Sequence, residues 1–191
     1  MIVKKSKLTV RPAVEKEINL INRFLIDNWS LDLKRLFKKG NVIIYVFEGY
    51  FNEIYAARGS FIPIINQLIE RNKHPYALGL HMGRLRKKKF LPSLELGYIV
   101  STKTNTCVIV NEKGEENFLY GKDLLLESII DIKSSIKPGQ IVIVLNRENE
   151  YIGLGRAINK IIKIKGKVYS PQRGFIIENI IDLGWYLRKG G

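Results

Sequence analysis

The chain has 191 residues and a mass of 22.0 kDa, room for one large domain or two small ones. Lysine plus arginine outnumber aspartate plus glutamate by 32 to 18, and the net charge of +14 makes anions the expected partners, nucleic acid ahead of an acidic membrane surface. A single cysteine, Cys107, excludes an intrachain disulfide and a cysteine-built zinc site, and no run approaches the roughly 18 consecutive apolar residues of a membrane helix.

In chain order, the opening M-I-V-K-K-S-K-L lacks the apolar run of a signal peptide, so a cytoplasmic protein without membrane contact is expected. Arg11-Pro12 predicts the first turn of a helix, and Val14, Ile18, Ile21 and Leu25 give it one apolar stripe that fades by Asn28. A strand over 41–47 turns back at Glu48-Gly49 as a hairpin through Ile54. Ser60 caps a second helix with Pro63 in its first turn and Ile64, Ile65, Leu68 and Ile69 on its buried face. A strand around Ala77–Met82 leads into a very basic loop, then an apolar segment ending near Val100.

The polar run S101-T-K-T-N-T106 reads as a linker. After it the pattern changes to short strands over 107–110, 141–145, 151–158, 161–168 and 174–180, with one helix over 121–127 inserted early. That order describes a small β-barrel or sandwich. Residues 1–103 hold 19 basic and 8 acidic residues, whereas residues 104–191 hold 13 and 10.

Two basic features stand out. Between Arg156 and Arg173 lie six cations and no acid: Arg156, Lys160, Lys163, Lys165, Lys167 and Arg173. If I161-I-K-I-K-G-K-V168 is one strand, Lys163, Lys165 and Lys167 share a face at about 6–7 Å spacing, while Ile162, Ile164 and Val168 turn to the core. Such a row suits a polyanion backbone; the plainer reading is a solvated strand face. The second feature, R84-L-R-K-K-K89, packs Arg84, Arg86, Lys87, Lys88 and Lys89 into six residues and would grip phosphates from a hairpin tip without reading bases. Tyr76, His81 and Phe90 nearby are candidates for stacking on bases, and core residues on the plainer reading.

Catalytic signals are sparse. His74 and His81 form no metal-binding motif, and no phosphate-binding loop of the G-x-x-x-x-G-K type occurs. Gly153-Leu154-Gly155 lacks the third glycine of a dinucleotide fingerprint and reads as a turn or a close-packing site. His81 reads as a structural side chain and Cys107 as buried and inert. Asp123 pairs at i,i+4 spacing with Glu127, and Asp131 follows at the same spacing, but such carboxylates are weak evidence without a pocket. No catalytic residue, metal ligand or cofactor is assigned.

The second half carries a family pattern. N117-F-L-Y-G-K-D-L-L125, K137-P-G-Q-I-V-I-V144 and Y151-I-G-L-G-R-A157 resemble, in order and spacing, a PUA domain, the RNA-binding module shared by pseudouridine synthases and archaeosine transglycosylases. F118-L-Y-G121 and I180-I-D-L-G-W-Y-L-R188 are similar to the Nip-seven family of archaeal and eukaryotic large-subunit ribosome-biogenesis factors, in which a PUA domain follows an α/β domain. Arg11-Pro12 and G83-R-L-R-K-K-K-F90 fit the first half of that family more loosely. Ser128 stands where these domains usually carry a glycine close to RNA, so the lysine row ranks above the groove beside Gly121–Leu125 as the expected contact surface.

The resemblance implies an α+β protein: an N-terminal α/β domain at 1–100, with an antiparallel sheet and flanking helices, and a PUA-type β-barrel at 104–191. It implies a non-enzymatic factor that binds single-stranded regions of pre-rRNA during large-subunit maturation, alongside other assembly or RNA-processing proteins. Its place would be the cytoplasm, or the nucleolus in a eukaryote. The alternative is the RNA-binding subunit of an RNA-modifying enzyme of the pseudouridine synthase, transglycosylase or methyltransferase type.

Overall fold

The structure is a computed structural model that describes residues 9–189 apart from Lys39, Tyr50, Asn72 and His74. The chain divides into two units, one of residues 1–25 and 32–96, the other of residues 26–31 and 97–191.

The first unit is built on an antiparallel sheet. Its elements are β1 (Thr9–Pro12), α1 (Glu15–Trp29) as far as Leu25, α2 (Leu33–Phe37), β2 (Val42–Glu48), β3 (Asn52–Arg58), α3 (Ile62–Glu70), β4 (Leu80–Arg86), β5 (Lys89–Pro92) and the start of α4 (Leu94–Ser101). The five strands lie in the order β1-β2-β3-β4-β5. Val10, Tyr45, Phe47, Ala57 and Ile65 form a buried cluster. Arg11-Pro12 does not open a helix: both residues pair with Val46 and Tyr45, and the proline, which has no N–H to give, sits on the edge strand. Helix α1 starts three residues later, where the Glu17 carboxylate accepts the Val14 N–H at 2.9 Å and Arg11 bonds both Glu17 and Glu48. Of the expected stripe, Ile21 and Leu25 are fully buried and Val14 is exposed.

The second unit continues with β6 (Cys107–Val110), α5 (Glu112–Leu119), β7 (Leu124–Leu125), β8 (Ile129–Ile132), β9 (Ile141–Leu145), β10 (Tyr151–Ala157), β11 (Ile162–Ile164), β12 (Lys167–Tyr169), β13 (Phe175–Asp182) and α6 (Trp185–Lys189). Six strands run β7-β13-β10-β9-β6-β8, all antiparallel except β6 with β9. The β11–β12 hairpin packs on β8, and an isolated bridge joins Ile136 to Ile161, so the sheet forms a nearly closed barrel. Val108, Val110, Phe118, Leu124, Val142, Val144, Ile161, Ile176 and Ile177 fill it. Gly153 lets β10 pass β13 closely: a Cβ there would meet the Ile181 carbonyl oxygen at 2.5 Å and the Phe118 ring at 2.9 Å. The G-L-G run is therefore a close-packing site.

Two further expectations differ from the structure. The inserted helix is α5, at 112–119 rather than 121–127. Asn111 caps it by accepting the Gly114 N–H at 2.8 Å, and Glu112 and Glu115 lie in its first turn, where the helix dipole favours negative charge. Residues 121–127 instead contain a positive-φ glycine, Gly121, and the short β7. The run 101–106 is not a loose linker either. Thr104 and Thr106 are buried, Thr104 Oγ1 donates to the Trp29 carbonyl at 3.0 Å, and Trp29 Nε1 donates to the Ile141 carbonyl at 2.9 Å.

Candidate nucleic-acid interface

The lysine row of the second unit is not one strand. Ile164 pairs with Lys167 across a two-residue turn made of Lys165 (φ 47°) and Gly166 (φ 80°). The fold-back reverses the alternation. Ile162, Ile164, Lys167 and Tyr169 are cross-strand partners on one face, which leaves Ile164 50% and Tyr169 51% exposed, while Lys163 lies opposite Val168 on the face toward β8 and the core. The buried isoleucine is Ile161, not Ile162 or Ile164. Lys163 Nζ is 2.7 Å from Asp131 Oδ1, and this hydrogen bond, ahead of opposing desolvation, holds the Asp131 carboxyl below its ordinary range. Arg156 is likewise engaged, 2.9 Å from Glu178, its cross-strand partner on β13. Lys160, Lys165, Lys167 and Arg173 remain, all exposed and without an ion pair to any described residue.

Arg173 links this edge to a groove. It precedes Gly174, whose carbonyl accepts the Leu126 N–H, and Phe175, which pairs with Leu125. Asn117, Gly121, Lys122, Asp123, Leu125, Ser128 and Phe175 line an open groove of about 470 Å³. Asp123 accepts the Asn179 N–H at 2.8 Å and the Asn179 side chain donates to the Phe118 carbonyl at 2.7 Å, so Asp123 of the groove lining is tied to β13, and β13 to α5. Ser128 lies on its wall.

The first unit holds the second basic cluster at a hairpin tip, as its sequence predicts. Arg86 pairs with Lys89 across Lys87 (φ 44°) and Lys88 (φ 64°). Two-residue turns with both φ positive prefer Asn-Gly, and a side chain in the left-handed region costs about 1–2 kcal/mol per residue. Of the five non-glycine residues with positive φ among the described residues, three are lysines at two-residue hairpin turns: Lys87, Lys88 and Lys165. At both tips exposed lysines occupy a backbone conformation that L side chains rarely adopt.

Other candidates fare unevenly. Phe90 is buried against Phe24, edge to face at 5.2 Å, and is withdrawn as a stacking residue; Tyr76 is 99% exposed. His81 Nε2 meets Glu53 Oε2 at 2.8 Å, and Nδ1 lies 3.6 Å from Glu95. Burial opposes charge on this imidazole, but the hydrogen bond and charge of Glu53, with help from Glu95, outweigh it and raise its pKa. His74 lies outside the described residues. Cys107 is buried, and burial pushes its thiol up. Among the described residues no group of three or more His, Cys, Asp or Glu side chains is placed to hold a metal, and no helix is long and apolar enough to cross a membrane.

A nearly closed barrel with a helix beside a groove and a basic hairpin edge defines a PUA-type unit, and residues 106–191 match the UPF0113 PUA domain family. A UPF0113 protein of Archaeoglobus fulgidus is 30% identical over 145 residues, covering 76% of this chain and 78% of the relative. A second, from Aeropyrum pernix, is 25% identical over 191 residues, covering 97% and 95%. The chain belongs to the UPF0113 family. Solved structures share the fold: a hypothetical protein from Pyrococcus horikoshii (TM-score 0.57, 18% identity, 94% of this chain and 99% of that one) and a conserved PUA domain protein from Thermoplasma acidophilum (0.55, 17%, 92% and 95%). A third is a PUA domain from Aeropyrum pernix solved as a tartrate complex (0.56, 13%, 93% and 87%). A PUA domain suggests RNA binding.

Proposed function

We propose that the protein is an RNA-binding factor with no catalytic activity of its own, acting on pre-rRNA during maturation of the large ribosomal subunit. The observation that carries RNA binding is the set of exposed cations Lys160, Lys165, Lys167 and Arg173 on the PUA unit, none of them in an ion pair with a described residue, with Arg173 two residues before Phe175 of the open groove. Arg156 and Lys163 are removed from the direct contacts, because Glu178 and Asp131 already neutralise them. Phosphates would lie along this edge, with Arg84, Arg86 and Lys87–Lys89 as a second contact. The ribosomal assignment follows the resemblance of F118-L-Y-G121 and I180-I-D-L-G-W-Y-L-R188 to the Nip-seven family.

Crosslinking the protein in its own cells and sequencing the attached RNA tests the reading. Precursors of large-subunit rRNA should dominate. Enrichment of tRNA instead would favour a subunit of an RNA-modifying enzyme, and recovery of no RNA would end the proposal.

A further inference from the structure

The tip of the β4–β5 hairpin holds more than charge. Phe51, partly exposed just ahead of β3, has the guanidinium carbons of Arg84 and Arg86 over its ring at 5.3 and 5.8 Å from the centroid. Glu53, the cross-strand partner of Arg84, positions that side chain: one carboxylate oxygen lies 3.6 Å from Arg84 Nε while the other bonds His81. Arg84 and Arg86 are two residues apart on one strand and so share a face. Three planar groups therefore gather at one spot, flanked by Lys87, Lys88 and Lys89, which have no ion pair with a described residue.

A pure phosphate grip has no need of an aromatic ring or of planar cations; lysines on a solvated turn suffice. Flat π surfaces and guanidinium planes are what an unpaired base stacks on, and flanking ammonium groups then hold the phosphates on either side of it. Duplex RNA keeps its bases stacked inside and offers such a platform nothing. We infer that Phe51, Arg84 and Arg86 form a base-stacking site for single-stranded RNA on the first unit, separate from the PUA unit's own contacts. Phe51 is its centre, and Lys87–Lys89 supply the phosphate contacts. This inference rests on the RNA-binding reading above.

The test uses the full chain and three probes: a short fluorescein-labelled oligouridine, the corresponding RNA duplex, and heparin, a polyanion without bases. Phe51→Leu keeps apolar packing and removes the ring. It should weaken oligouridine binding about tenfold, leave heparin binding unchanged, and shift duplex binding little. Phe51→Tyr should bind as the unaltered protein does. Arg84→Lys with Arg86→Lys keeps both charges but removes the planes; it too should weaken oligouridine and spare heparin, which keeps the question answerable if Phe51→Leu fails to fold. Equal losses on oligouridine and heparin, or no loss on either, would overturn the stacking site while leaving RNA binding standing. An unaltered protein that does not bind oligouridine would overturn both.

Discussion

Lys163 Nζ sits 2.7 Å from Asp131 Oδ1, an ion pair that fastens the β11–β12 hairpin to β8 and takes one lysine out of the basic edge. Both side chains are about two-fifths exposed, so the pair contributes a few tenths to about 1 kcal/mol. Asp131→Asn should lower stability by that amount in urea melts. It should also release Lys163 and steepen the salt dependence of RNA binding by about 0.7 in the log–log slope. Lys163→Gln in the unaltered background should leave that slope where it was.

The strained turn gives a prediction in which stability and binding move in opposite directions. Changing Lys87-Lys88 to Asn-Gly removes two left-handed lysines and should stabilise the first unit by about 1–3 kcal/mol. Affinity for single-stranded RNA should fall in the same variant, with the slope flatter by about 1.4 if each lysine holds one phosphate. Thermal melts and anisotropy titrations on one preparation check both. Stabilisation with unchanged affinity would make the turn a purely structural feature.

His81 links stability to pH. Its folded pKa lies above the ordinary histidine value of about 6.5. The stabilisation it brings is therefore complete below that value and is lost as pH rises through the raised folded pKa. Melting temperature should drop from about pH 6 to pH 8 more in the unaltered protein than in His81→Gln. Parallel drops in the two proteins would show that the Glu53 and Glu95 contacts do not bias the imidazole.

Gly153 and Trp29 test the packing of the second unit. Gly153→Ala forces a methyl group against the Ile181 carbonyl and the Phe118 ring and should cost about 2–4 kcal/mol. Trp29→Ala removes a fully buried ring and its bond to Ile141, with a cost of about 3–5 kcal/mol. Calorimetry on each variant measures these losses directly; a variant as stable as the parent would mean that the site relaxes freely.

Much of this architecture can be read along the chain, and the misses have physical causes. Val42–Glu48, Cys107–Val110 and Ile141–Leu145 announce themselves as apolar runs between turn residues, and the hairpin tip at Arg84–Lys89 as a charge run no core would hold. The turn at Lys165-Gly166 is hidden, because isoleucine and lysine alternate on both sides of it and lysine occupies a position where Asn would signal the bend. The partners of Lys163 and Arg156 come from other strands, which no local pattern reveals. Trp29 belongs with residues 97–191 through bonds to chain 75 and 112 residues away. Phe51 carried no local signal either, since only the pairing of β3 with β4 brings Arg84 and Arg86 over it.

The most direct measurement is the salt dependence of single-stranded RNA binding, by anisotropy, for the full chain and for the variant with Lys160, Lys165, Lys167 and Arg173 all changed to Gln. The variant should keep its fold, because all four side chains are exposed and unpaired among the described residues. Its log–log slope should be flatter by about 2.8, four phosphates at roughly 0.7 each, with affinity falling alike for every sequence tested. A folded variant with the parent's slope and affinity would contradict the claim that this edge of the PUA unit holds the RNA.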